Sequence, residues 1–147
     1  MRARDAMIPN PLVVRPETTL LEFIHAVLDG NQTTASVVDG ETLVGMLSVE
    51  DVFQRLVPAY LQMRGGLVDA LRDSYYFEAF EKFKHLQVGA VMSRDIDCLA
   101  PDAPLMNAVR LFAKRSRKTL PVLEEGRYVG SVTRRSVLRA ALDKANS

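Results

Sequence analysis

A short pattern occurs twice in this 147-residue chain, and the two occurrences are 85 residues apart. Residues 44–51 read Val-Gly-Met-Leu-Ser-Val-Glu-Asp, and residues 129–136 read Val-Gly-Ser-Val-Thr-Arg-Arg-Ser. Further residues coincide at the same offset without a gap over about fifty positions, among them Met7 with Met92, Pro16 with Pro101 and Thr34 with Thr119. Such a repeat limits the possible architectures strongly, because each copy must fold as the same supersecondary unit.

The length and composition suit one compact domain, or two small units that share a core. No run of about 18 apolar residues is present, so we expect no membrane span and no membrane partner. The N-terminal residues lack the apolar stretch of a signal peptide. The single cysteine, Cys98, cannot form an internal disulfide, which fits a reducing compartment and predicts a cytoplasmic protein.

The net charge of +1 is unevenly distributed along the chain. Residues 1–88 carry 8 Lys and Arg against 12 Asp and Glu, whereas residues 89–147 carry 11 against 6. The basic second part is either a solvated helical face or an anion site that suits phosphate. A nucleic-acid partner is not expected, because the basic residues are not interleaved with aromatic ones and no helix-turn-helix or zinc-finger spacing occurs.

Each copy is predicted to form a β-α-β-β-α unit. In the first copy, residues 12–14 suit a short strand, and Thr19 with Glu22 suits a capping box before an apolar helical face. A hairpin around Asp39-Gly40 and a second helix capped by Ser48 follow. One such unit buries too little to be stable alone. We therefore expect an α+β module in which two copies pack sheet to sheet about a pseudo-twofold axis, with two equivalent clefts between them.

A segment between the copies, residues 58–87, does not repeat. Its sequence from Leu67 to about Leu86 predicts an amphipathic helix. Five of the ten aromatic residues lie between Tyr75 and Phe83. This helix either covers the module's own core or forms a protein-contact surface, such as a dimer seam or a docking site. A membrane-surface helix is a third, less favoured interpretation, because the polar face mixes charges of both signs. The predicted organisation is residues 1–57, 58–87 and 88–147, with the first and last parts forming one module.

The two copies resemble the cystathionine-β-synthase (CBS) domain, a family found as tandem pairs. The resemblance covers roughly residues 3–57 and 88–143. It rests on the Ala-Met and Val-Met pairs at the start of the two copies, on the prolines before the first helices, and on Leu120-Pro121-Val122. It also rests on a Gly-apolar-apolar-Ser/Thr-x-x-Asp signature at residues 45–51, which recurs with a change at residues 130–136. It implies a regulatory module that binds AMP, ADP, ATP or S-adenosylmethionine in its clefts, requires no other cofactor, and commonly dimerises.

The resemblance also implies which residues contact the ligand. The signature Asp takes the ribose hydroxyls, and the signature Ser or Thr lies near the phosphate at a helix N-terminus, where free N–H groups favour an anion. The first copy supplies Ser48 and Asp51, but the second supplies Thr133 and Ser136. Serine is shorter and uncharged, so it cannot bind two hydroxyls as a carboxylate can. We therefore expect the second cleft to be weakened, altered in ligand or vacant.

In the family, phosphate-binding side chains often come from the segment before the second strand of the other copy. That segment is basic in the second copy, at residues 117–121, and uncharged in the first, at residues 32–36. One competent cleft is therefore expected, with Asp51 on the ribose and with phosphate contacts from Lys118, Thr119 and Arg134. The adenine wall would come from the short first strands, which include Val13, Val14, Cys98 and Leu99. Cys98 is expected to be a small core residue.

The sequence thus favours a ligand-sensing module that binds an adenine nucleotide, forms a homodimer and signals to an unidentified protein partner. The alternative is a dimerisation or scaffold protein whose clefts are only structural. An enzyme is not expected, because no nucleophile–base pair or paired carboxylates are evident. No metal site is expected either, since His25 and His85 have no partners at ligand spacing.

Overall fold

The computed structural model describes residues 1–61, 73–114 and 117–147. The elements in chain order are a 3-10 helix at Ala3–Ala6, β1 (Val13–Val14), α1 (Leu20–Asp29), β2 (Thr34–Asp39), β3 (Thr42–Ser48), α2 (Val49–Leu61), α3 (Asp73–Phe83), a 3-10 helix at Val88–Ala90, α4 (Leu105–Lys114), β4 (Thr119–Glu124), β5 (Arg127–Thr133) and α5 (Arg134–Ala145). The predicted β-α-β-β-α order is confirmed in both copies. In the second copy the first strand is reduced to a single parallel bridge between Leu99 and Val122.

The first helix begins where the capping box is predicted. The Thr19 hydroxyl accepts a hydrogen bond from the Glu22 amide at 3.1 Å, and the Glu22 carboxylate accepts one from the Thr19 amide at 3.0 Å. These reciprocal bonds satisfy two N–H groups that the helix cannot pair internally. The hydrogen bond from the Thr19 amide stabilises the charged form of the Glu22 carboxyl group and so lowers its pKa.

The strands form one five-stranded sheet in the order β1-β2-β3-β5-β4. Each copy contributes an antiparallel hairpin, and both hairpins change register at equivalent places, between Val37 and Val38 and between Val122 and Leu123. The two hairpins join at one pair, Thr42 with Arg127. Consecutive residues of β2 are buried, although alternate residues face opposite sides of a strand. Both faces of β2 are therefore covered.

The two cores exchange the segments that lead into each copy. We name these the first leading segment, residues 1–8, and the second leading segment, residues 86–93. The first copy's core includes Val88 of the second leading segment, and the second copy's core includes Ala3 and Ala6 of the first. Each hydrophobic core is thus completed by residues from the other copy. The division at residues 57 and 88 stays a prediction about chain segments, because the cores cross it.

Backbone hydrogen bonds fix this exchange at equivalent positions. Met46 and Ser93 donate to each other at 2.9 and 2.8 Å, and the corresponding bond in the second copy runs from the Ile8 amide to the Ser131 carbonyl at 2.9 Å. The first amides of α1 and α4 are also satisfied this way: Leu20 donates to Leu86, and Leu105 donates to Met1. Since buried backbone groups must be paired, neither copy is complete without the other.

The glycines of the repeated pattern make room for the exchanged methionines. A Cβ atom on Gly45 would lie 2.5 Å from the Met92 sulfur and 3.0 Å from the Ser93 carbonyl oxygen. On Gly130 it would meet the end of the Met7 side chain. Glycine lets the backbone come this close because it has no side chain. The repeated Gly and Met are therefore two halves of one contact.

The non-repeating segment contributes α3, which packs on α2. Ala79 is fully buried in the first copy's core, and Phe83 packs against that core. Tyr76 and Phe77 remain exposed. The helix thus covers a core and also presents aromatic rings to solvent; residues 67–72 of the predicted helix lie outside the described residues. In the part of the chain that the structure describes, no helix combines the length and apolarity needed to cross a membrane.

Candidate functional site

The start of α2 holds the first two predicted ligand residues in a capping box. β3 ends at Ser48 and the helix begins at the next residue. The Ser48 hydroxyl accepts from the Asp51 amide at 3.2 Å, and one Asp51 carboxylate oxygen, Oδ2, accepts from the Ser48 amide at 2.9 Å. Both side chains therefore lie at a helix N-terminus, where the positive end of the helix dipole favours anions.

The start of α5 has the same geometry without the carboxylate. The Thr133 hydroxyl accepts from the Ser136 amide at 3.0 Å, and the Ser136 hydroxyl lies 2.9 Å from the Thr133 amide. The Ser136 hydroxyl also donates to the Thr133 carbonyl at 3.0 Å. Serine therefore retains the capping function of the aspartate. What the second copy lacks is a negative charge and a second acceptor oxygen.

Lys118 connects the starts of the two helices. Its carbonyl accepts a hydrogen bond from the Arg134 amide at 3.4 Å, beside α5, while its ammonium group forms an ion pair with Glu50 in the first turn of α2. In the first copy, the Thr33 carbonyl accepts from the Val49 amide at 3.0 Å in the equivalent way. The backbone contacts are symmetric, but the side chain at this position is charged in the second copy (Lys118) and uncharged in the first (Thr33).

Glu50 lies at the candidate site, and sequence reasoning did not include it among the site residues. It directly precedes Asp51, and the hydrogen bond from the Lys118 ammonium lowers the pKa of its carboxyl group. The two side chains are 47% and 39% exposed, so the pair stabilises the fold by at most about 1 kcal/mol. The repeat contains a signal for this residue, because the charge is reversed between the copies: Glu50 coincides with Arg135 at the 85-residue offset.

The neighbouring Arg117 is occupied elsewhere. Its guanidinium group lies 3.0 Å from the Asp97 carboxylate and 3.5 Å from that of Asp95. The equivalent residue of the first copy, Gln32, also ties down the segment before the first strand, by hydrogen bonds to Asn10 and Leu12. This position therefore has a structural function in both copies, which leaves Lys118 as the residue that reaches α2.

Two further predicted phosphate contacts lie at the same end of the second hairpin. Thr119 begins β4, is buried and pairs with Thr133 at the end of β5. Arg134 is the first residue of α5 and is exposed. The structure thus brings Lys118, Thr119, Thr133 and Arg134 together. Through Lys118 it also connects them to the Ser48 and Asp51 side of the site.

The predicted adenine wall is placed differently. Val14 and Leu99 are buried in the first and second cores, whereas Val13 and Cys98 are exposed. The expectation that Cys98 is a core residue is wrong. Successive side chains of an extended segment point to opposite sides, so a buried Leu99 turns Cys98 outward. Contact of Val14 and Leu99 with a ligand stays a prediction.

The site offers hydrogen-bond acceptors, the positive end of a helix dipole and one lysine, which suits a ligand that has hydroxyl groups and an anion. Among the described residues, no three His, Cys, Asp or Glu side chains cluster closely enough to hold a metal ion.

Comparison with known proteins identifies the family. The model of the CBS domain matches residues 3–58 and again residues 88–143. The chain belongs to the CBS domain family and is a tandem CBS pair, a class of regulatory module.

Two curated relatives are 28% identical to this chain over the aligned residues. One is Uncharacterized protein MJ1426 of Methanocaldococcus jannaschii, where the match covers 97% of this chain and 92% of the relative. The other is the A-adding tRNA nucleotidyltransferase of Aquifex aeolicus, where it covers 95% of this chain but only 14% of the relative. The chain thus spans about a seventh of that enzyme.

Among solved structures, the CBS-pair protein CBSX2 of Arabidopsis thaliana has a TM-score of 0.79 and 25% identity, covering 99% of this chain and 97% of CBSX2. A structure of CBSX2 in complex with AMP has a TM-score of 0.75 and 26% identity, covering 98% of each chain.

Proposed function

We propose that this chain is a regulatory module that binds an adenosine-containing nucleotide in the cleft at the start of α2 and signals to a partner protein. The observation that carries the proposal is the reach of Lys118 from the second copy to Glu50, which lies in the first turn of α2 and precedes Asp51 in sequence. This contact brings a cation of the second copy to the helix start that holds the Asp51 carboxylate.

The chemistry of these groups matches the parts of a nucleotide. A carboxylate has about four acceptor positions on its two oxygens, so Asp51 can retain its bond to the Ser48 amide and still accept from the two ribose hydroxyls. The positive end of the α2 dipole and the Lys118 ammonium suit the phosphate. To reach the phosphate, the Lys118 ammonium group has to leave its ion pair with Glu50. Thr119 and Arg134 are proposed as further phosphate contacts.

The structure of CBSX2 with AMP supports an adenine nucleotide as the ligand. That protein is similar to this chain over nearly its whole length. The candidate ligands are AMP, ADP, ATP and S-adenosylmethionine. The site contains no constellation for which we propose catalysis, and a cytoplasmic location remains a prediction from the single cysteine.

A thermal-shift screen of these four ligands tests the proposal, with GMP as a control for the base. A ligand present at a hundredfold excess over Kd adds about 2.7 kcal/mol, which for a chain of this size raises Tm by roughly 5–10 °C. The absence of a shift with every adenosine compound at millimolar concentration would contradict nucleotide binding.

Dimerisation is a second function that a specific observation favours. α2 exposes Phe53 and Val57, which are 57% and 54% accessible, and α5 exposes Leu138 and Leu142, which are 70% and 52% accessible. These pairs coincide at the 85-residue offset, so both copies present apolar residues at the same positions. Such a surface suits contact with a second copy of the chain.

Sedimentation analysis separates the two functions. Phe53→Asp together with Leu138→Asp should convert a dimer into a monomer, whereas an exposed polar change such as Gln54→Glu should leave it intact. If the wild-type chain sediments as a monomer with and without nucleotide, the dimer proposal is contradicted and the binding proposal is unaffected.

A further inference from the structure

The starts of α2 and α5 carry opposite charge, although their backbones are equivalent. The compared set consists of the first three residues of each helix and the residue that donates a side chain from the other copy. For α2 the set is Val49, Glu50, Asp51 and Lys118, with a formal charge of −1. For α5 it is Arg134, Arg135, Ser136 and Thr33, with a formal charge of +2.

The cation of the α2 set is already engaged. The Lys118 ammonium is ion-paired with Glu50, 68 positions away in sequence. A ligand phosphate that draws on Lys118 must therefore compete with a carboxylate of this chain. Once Lys118 has moved from Glu50 to the phosphate, the negative charge of the Glu50 carboxylate lies beside the phosphate and is no longer neutralised by the lysine.

We infer that Glu50 sets the charge selectivity of the cleft at the start of α2, favouring adenosine ligands with one phosphate over those with two or three. This inference rests on the proposed nucleotide site and specifies its ligand class. Each additional phosphate brings further negative charge near Glu50 and Asp51. At about 4 Å in a solvated site, one pair of unit charges interacts by about 1 kcal/mol, which corresponds to about a fivefold change in affinity.

The repeat supplies the substitutions that test this inference. Position 135 shows that an arginine is accommodated at this point of the first helical turn. Glu50→Gln removes the charge at nearly constant size, and Glu50→Arg installs the residue of the second copy. Arg135→Gln is the matched control, because it removes a charge at the equivalent position of α5.

Calorimetric titration with AMP, ADP and ATP measures the selectivity. For the wild-type chain, affinity should fall in the order AMP, ADP, ATP. The ratio of Kd for ATP to Kd for AMP should fall at least about fivefold in Glu50→Gln. It should fall further in Glu50→Arg and remain within about twofold of wild type in Arg135→Gln. In the wild-type chain the ratio should also narrow at high salt, because exposed charges are screened.

The inference is overturned if the ratio is the same in the wild-type chain, in Glu50→Gln and in Glu50→Arg, or if the wild-type chain prefers ATP. In either case AMP binding that is lost in Asp51→Ser would leave the proposed site intact. If no adenosine ligand binds any of these folded chains, the proposed function fails and this inference fails with it. Thermal unfolding of each variant without ligand confirms that it is folded.

Discussion

The starts of α2 and α5 differ in chemistry while they share a backbone. Both follow the last strand of a hairpin, both are closed by a reciprocal capping box, and both place their first amide on a carbonyl of the preceding hairpin segment. The difference lies in the side chains, because α2 has Glu50 and Asp51 where α5 has Arg135 and Ser136. The capping box therefore forms with or without the carboxylate.

The largest expected effect comes from making α2 resemble α5 through Asp51→Ser. Serine retains the cap, as Ser136 shows, but it removes the charged acceptor for the ribose hydroxyls. Because hydrogen bonds to charged groups contribute about 1.5–3 kcal/mol each, AMP affinity should fall about a hundredfold. Calorimetry measures the affinity, and stability without ligand should fall by only the roughly 0.3–1 kcal/mol that a first-turn carboxylate contributes. Unchanged AMP binding would show that Asp51 is only a helix cap.

A second comparison tests whether the two exchanged leading segments pack equally tightly against the glycines of the repeated pattern. Gly45→Ala places a methyl group against Met92 and against the Ser93 carbonyl, a backbone atom that cannot turn aside. Overpacking of this kind costs about 1–3 kcal/mol.

Gly130→Ala is its matched variant. It meets only the flexible end of the Met7 side chain and should cost clearly less than Gly45→Ala. Urea unfolding of both variants gives the two free energies of unfolding. Equal losses would mean that the Ser93 backbone moves as easily as a methionine side chain.

The reverse substitution, Ser136→Asp, should make α5 resemble α2. A carboxylate in the first turn suits the helix dipole and adds about 0.3–1 kcal/mol to stability. If the missing acceptor is what weakens the second cleft, AMP affinity there should rise about tenfold, by about 1.4 kcal/mol. Calorimetric titration should then show a second binding event. A stoichiometry that stays at one per chain would show that the second cleft lacks more than the carboxylate.

The smallest effect concerns pH and Glu50. Because the Lys118 bond lowers the pKa of Glu50 in the folded state, its stabilisation is present above the unfolded pKa near 4.5 and is lost as pH falls through the folded value. The pair is exposed, so the loss should stay below about 1 kcal/mol. Glu50→Gln should flatten this part of the stability profile, measured by urea unfolding from pH 6 to pH 3. Arg135→Gln should leave it unchanged.

Much of the fold could be predicted because it depends on local patterns. The capping box of Thr19 and Glu22, the hairpin around Asp39-Gly40 and the helix start at Ser48 are each encoded within four residues, and the structure contains all three. The repeat then extends these predictions to the second copy. The identity of the family followed from the same patterns and is confirmed by the match to the CBS domain.

Other features depend on residues far apart in the chain. The exchange of leading segments joins Met7 to Gly130 and Met92 to Gly45, and no local propensity encodes which copy a segment packs against. The two repeated Gly and Met positions were visible, but only the structure paired each with the other copy. The exposure of Cys98 follows from which side of its segment faces the core, a choice that Leu99 settles by being buried.

A tandem pair of unequal copies can be recognised from the amino-acid sequence alone, because the repeat, the caps and the serine at position 136 lie in order along the chain. The contact of Lys118 with Glu50 and the completion of each core by the other copy are visible only in three dimensions. Ion pairing and burial depend on distance in space, whereas sequence patterns report only distance along the chain.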